Sequence, residues 1–157
     1  MLSKEDKDAD TLPEITECYG ECGVNLEKIV RRIIKYVPPD TLRGLREIRI
    51  SGRDPDNMAF GCYYKKDRKI ELFAEDIIGW QPWLLKKTYI FPYLSTGLAL
   101  GHEIDHHVKR NDGRSDKEKS AENNALKYVY PSFGPFKPVA KLLFLLLRRF
   151  FNARKTI

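Results

Sequence analysis

Histidine is scarce in this chain of 157 residues: there are three, and His102, His106 and His107 all fall within one stretch, LALGHEIDHHVKR. No imidazole elsewhere can act as a base or bind a metal. Cysteine is equally scarce. Cys18, Cys22 and Cys62 are too few, and odd in number, for a disulfide framework, which fits a reducing compartment. Cys18 and Cys22 have a loose metal-ligand spacing, but no second pair completes a site, so they read as buried or incidental thiols. No apolar run reaches the ~18 residues needed to cross a bilayer. The opening residues MLSKEDKDAD have no apolar core and are expected to form a solvated arm rather than a secretory signal. The expected location is cytoplasmic.

Acidic residues are missing from Lys137 onward, where Lys137, Lys141, Arg148, Arg149, Arg154 and Lys155 stand unopposed. These six account for the whole net charge of +6, so the preceding residues are neutral overall. That is not the basic domain of a nucleic-acid-binding protein, and no nucleic-acid partner is expected.

Helical spacing of Leu26, Ile29, Val30, Ile33, Ile34 and Val37 predicts a helix, with Asn25 as N-cap and Pro38-Pro39 as the stop. Alternation in Glu47–Ile50 predicts a half-buried strand. Ala59–Tyr64 and Lys69–Ala74 read as two further strands, joined through Lys65–Arg68 as a hairpin. Gly79–Pro92 reads as a loop or short helix. A helix is expected from about Pro92 to Asn111-Asp112-Gly113, and another from Ser115 to Tyr130. Pro135 and Pro138 mark a linker, and Val139 to about Asn152 reads as a final helix. The order helix, strand, hairpin, helix, helix, tail defines an α+β fold. The expected division is an arm over 1–13, a domain over 14–131, and a linker with an apolar, basic helix over 132–157.

His102-Glu103-x-x-His106 gives the clustered histidines a chemical meaning. Residues four apart share a helix face, so both imidazoles can reach one Zn2+. A carboxylate beside the first ligand can take a proton from a metal-activated water and return it to a leaving amine, which makes Glu103 the candidate catalytic base. Gly101 would admit a close neighbour. His107 falls outside the motif and reads as a supporting or surface residue.

A catalytic zinc needs a third protein ligand. Asp112 is one candidate, but that arrangement calls for a glycine where Lys109 stands. Glu118 and Glu122 are the others, four apart on the next helix, with Ala121 and Ala125 small enough for close packing. Glu118 is favoured as ligand and Glu122 as its supporting carboxylate, with Asp112 third; Ser115-x-x-Glu118 also reads as a capping box. Tyr128 and Tyr130 are candidates for stabilising an oxyanion.

His102-Glu103-Ile104-Asp105-His106 followed by Glu118-x-x-Ala121-Glu122-x-x-Ala125 resembles the gluzincin branch of zinc metallopeptidases, whose members carry H-E-x-x-H and then E-x-x-A-D/N-x-x-A. The resemblance implies a zincin-like domain: a helix, a small mixed sheet with a hairpin, an active-site helix, and a helix carrying the third ligand. It implies one zinc per chain and a peptide or protein substrate. It also implies that Lys69–Ala74 is the edge strand on which substrate lies extended, the alternative being an ordinary core strand.

The final segment has three readings: a core helix, a peripheral contact with an anionic membrane, or a cover over the cleft. The sequence thus points to a zinc-dependent peptidase, with a non-catalytic zincin-fold binding or sensor module as the alternative. It leaves the oligomeric state open.

Overall fold

A computed structural model describes residues 12–18, 23–56, 59–79, 81–113, 118–143 and 145; the side chains of 118–120, 122 and 123 fall outside that description. The expected arm lies outside it as far as residue 11, as do Cys22 and the tail beyond 145.

A strand, β1 (Glu14–Glu17), precedes the first helix, where the sequence reading had the helix come first. Four residues with one apolar side chain, Ile15, carry no alternation long enough to announce a strand. β1 is held by pairing parallel to β2 (Glu47–Ser51), with Ile15 opposite Ile48. Between them runs α1 (Leu26–Ile34), where Asn25 Oδ1 accepts from the Lys28 amide at 2.7 Å. Leu26, Ile29, Val30, Ile33 and Ile34 are buried along its inner face. The short α2 (Pro39–Leu42) follows.

β3 (Gly61–Tyr64) and β4 (Lys69–Phe73) form the expected hairpin. Its turn carries Arg68 at a positive φ of 51°. β4 also pairs parallel to β2, giving the order β1-β2-β4-β3. Of the two readings of Lys69–Ala74 the core strand holds and the edge strand does not: β4 is interior, hydrogen-bonded on both sides, and β3 ends the sheet among the described residues. The alternating pattern of β4 shows which faces it covers. It is silent about which neighbour it takes, and that depends on pairing across the fold.

α3 (Ala74–Gly79) follows β4, where no element was expected, and α4 (Trp83–Lys86) is a short helix within Gly79–Pro92, one of the two forms expected there. Then comes α5 (Ile90–Asn111), followed by α6 (Glu118–Val129) and a 3-10 helix over Tyr130–Phe136. Residues 137–143 and 145, here α7, are helical. α5 and α1 pack on the inner sheet face, where Ile48, Ile50, Ile70 and Leu72 are fully buried. A smaller apolar cluster joins Leu94 and Leu98 of α5 to Ala125 of α6 and Ala140 of α7. The 132–157 segment therefore begins as part of the packed domain. The fold is α+β with a four-stranded mixed sheet, and no helix among the described residues is long and apolar enough to cross a membrane.

Candidate metal centre

α5 is a continuous helix through the whole histidine stretch, so His102 and His106 lie one turn apart on one face. Their rings are inclined at 72° with centroids 4.7 Å apart, and the two Nε2 atoms are 3.0 Å from each other. Two nitrogens held tetrahedrally at 2.0–2.1 Å from zinc would stand about 3.3 Å apart. The pair is within a few tenths of an ångström of that separation, and imidazole is a ligand for zinc as for copper, iron and nickel.

Glu103 lies on the flank of α5 toward β3 and is buried. A Cβ placed on Gly61 would come within 3.0 Å of Glu103 Cγ and of the Glu71 carbonyl oxygen, so the carboxylate stem rests against bare backbone of the edge strand. Burial, and after it the Glu103 charge, pushes the Cys62 thiol up from its ordinary pKa, an electrostatic sign that the carboxylate and the thiol are neighbours.

The opposite flank of α5 meets α6. Gly97 lies against Val129, and a Cβ on Gly101 would overlap the Ala125 carbonyl. Ala121 and Ala125 are buried in this contact, as their size led one to expect. The two helices therefore run antiparallel. Continuing the register from Gly97–Val129 and Gly101–Ala125 sets the backbone of Glu122 level with Ile104, between the two histidines. Glu118 is then level with Val108, one turn further on. Among the described residues no third His, Cys, Asp or Glu joins the pair; the side chains of Glu118 and Glu122 lie outside them.

Asp112 is the C-cap residue of α5. The helix continues through Lys109 without turning back, so Asp112 is about 9 Å beyond His106 along the axis. The Tyr128 hydroxyl donates to Asp105 Oδ1 at 3.1 Å. Tyr130 opens the 3-10 helix beyond α6, with the Lys137 ammonium 5.7 Å from its ring centre.

His107 is fully buried, which corrects the surface reading. Its Nε2 is 3.1 Å from the Arg43 carbonyl oxygen and its Nδ1 is 3.0 Å from the Tyr63 hydroxyl. A carbonyl only accepts, so Nε2 carries the proton; Nδ1 then accepts from Tyr63. Burial pushes its pKa below the usual imidazole range, against the pull of the Arg43 carbonyl, which favours the charged form. It anchors α5 to the edge strand and to the turn after α2.

Three supporting residues are absent from the expected site. Asp105 is buried, accepts from Asn124 Nδ2 at 3.2 Å as well as from Tyr128, and forms an ion pair with Lys109. Asn124 shows no motif; its partner is known only once α6 is docked. Gly61 did carry a signal, because a glycine inside a strand pattern marks close approach by another group.

No protein-family model matches the chain, and neither a curated protein nor a solved structure matches it. The functional reading rests on the chain's own residues.

Proposed function

We propose that the protein is a zinc-dependent peptidase of the zincin type. The observation that carries the reading is the convergence of the His102 and His106 Nε2 atoms, 3.0 Å apart, with buried Glu103 beside them on the same helix. A carboxylate beside the first metal-binding histidine is what proton transfer to and from an activated water requires. A structural zinc site would have no use for it.

His102, His106 and a carboxylate of α6 would hold the metal. Backbone level favours Glu122 for that carboxylate, with Glu118 as the alternative and Asp112 the least favoured. Zinc, when bound, would polarise the scissile carbonyl and make water a stronger acid. Glu103 accepts the proton of the attacking water and delivers it to the departing amine. β3 rather than β4 is the strand beside Glu103, and a peptide extended along it would place its backbone next to that carboxylate. Tyr128, tied to Asp105, acts first as a clamp between α5 and α6. Tyr130 is the remaining candidate for oxyanion stabilisation.

Elemental analysis of the purified chain tests the metal: about one zinc per chain is expected, lost in His106→Ala. Glu122→Gln should weaken zinc binding more than Glu118→Gln or Asp112→Asn. The reverse order of the first two restores the assignment expected from the sequence. Equal, negligible zinc in wild type and His106→Ala overturns the proposal. Zinc without turnover on any peptide library would replace it with the binding-module reading.

A further inference from the structure

The end of α5 remote from the histidines carries a different kind of surface. Trp83 and Leu84 of α4 are 68% and 67% exposed, and Ile90 opens α5 half exposed. Phe136, Leu142 and Leu145 project from the 3-10 helix and α7, again more than half exposed. These belong to one end of the molecule. Tyr93 meets Tyr89 at a tilt and Phe133 edge to face, with ring centroids 5.6 and 5.3 Å apart, which ties the start of α5 to the 3-10 helix. Ala140 packs with Leu94, Leu98 and Ala125, which ties α7 to the same region. α7 is thus two-sided: Ala140 is buried, while Val139, Leu142 and Leu145 face outward.

The stretches of chain that build this end carry charges of one sign. No acidic residue occurs between Asp76 and Glu103, and none follows Glu122. The stretches that build this end carry Lys86, Lys87, Lys137 and Lys141, and the sequence continues with Arg148, Arg149, Arg154 and Lys155. The Lys87 ammonium lies 4.1 Å from the centre of the Trp83 ring. Outward-projecting leucines, an indole and phenylalanine among lysines, on stretches of chain that carry no acidic residue, match the boundary between lipid headgroups and acyl chains. A protein partner of ordinary composition would not require acid to be excluded from every stretch of this end.

We propose that this face docks the protein on an anionic lipid surface, with α4 and α7 lying in the headgroup layer. The histidine pair is about 18 Å along α5 from Ile90, so docking at this end leaves the pair clear of the lipid. The proposal rests on this surface alone and is independent of the peptidase reading.

Vesicle co-sedimentation of the full chain tests it. Wild type should pellet with phosphatidylcholine vesicles containing phosphatidylserine and remain in solution with phosphatidylcholine alone. Raising salt to about 0.5 M should weaken the binding, because the lysine contribution is screened. Leu84→Glu with Leu142→Glu should lower the partition coefficient by about a hundredfold, since two inserted leucines are lost. Both positions are exposed, so circular dichroism should be unchanged; if it is not, Lys86→Glu with Lys87→Glu replaces that variant and should abolish the preference for anionic vesicles. Equal pelleting of wild type and variant, or equal binding to neutral vesicles, overturns the proposal. A wild-type dimer that the leucine variant converts to monomer, without vesicle binding by either, also overturns it and assigns the face to a second copy of the chain.

Discussion

Two neighbours govern Glu103: the bare backbone of Gly61 on one side and the Cys62 thiol close by. In the proposed mechanism Glu103 moves protons without holding the metal. Glu103→Gln should therefore keep zinc content and melting temperature near wild type while turnover falls about 100–10,000-fold. The same variant has a second readout. Removing the charge that helps raise the Cys62 pKa should speed alkylation of that thiol near pH 8, measured by mass spectrometry against the exposed Cys18. Unchanged alkylation would mean that Glu103 and Cys62 are not neighbours, whatever the turnover shows. Gly61→Ala approaches the carboxylate from the other side. Its methyl group would press on Glu103 Cγ, the Glu71 carbonyl and Leu72 Cδ2 at 3.0–3.1 Å. An overpacking loss of about 1–3 kcal/mol is expected in a denaturant titration, with turnover falling although no chemical group has been removed.

At the scale of elements, the decisive contact is α5 against α6. Small residues permit it: Gly97 and Gly101 on one helix, Ala121 and Ala125 on the other. Polar groups then set its register, because buried Asp105 receives the partly buried Asn124, Tyr128 and Lys109. Asp105→Leu should cost about 3–5 kcal/mol, because Lys109, only 12% exposed, is left without its counter-charge. Asp105→Leu with Lys109→Met should recover most of that loss, since a matched apolar pair replaces the ion pair without stranding a charge. A double variant no more stable than the single would show that the ion pair is not what holds this contact.

For the whole molecule, α7 joins the domain through one side only. Ala140 and Leu143 cover Leu94 and Leu98 at the start of α5, while the outer side stays exposed. Removing residues 139–157 uncovers that cluster. Aggregation and a lower melting temperature are expected, followed by light scattering and a thermal melt. A soluble truncation of equal heat stability would show that α7 contributes nothing to the packed domain. The membrane-contact and core readings of this segment need not exclude each other, since each uses a different side of the same helix.

Much of this was legible in the sequence because the signals are local. The spacing of Leu26 to Ile34 with Asn25 ahead of it, the hairpin around Lys65–Arg68, and the one-turn spacing of His102 and His106 each depend on geometry within a few residues. The close approach at Gly101 was also readable, because only glycine removes the Cβ. Tertiary structure alone decided what depends on partners far apart in the chain. Pairing with β2 makes a strand of Glu14–Glu17. Pairing on both sides puts β4 inside the sheet and leaves β3 at its end. Burial against Tyr63 and the Arg43 carbonyl turns His107 from an apparent surface residue into an anchor. The antiparallel register of α5 and α6 brings Glu122 rather than Glu118 level with the histidines. A one-residue change of register would leave every local pattern intact and move the backbone of Glu122 away from the histidines, so its level depends on how the helices dock.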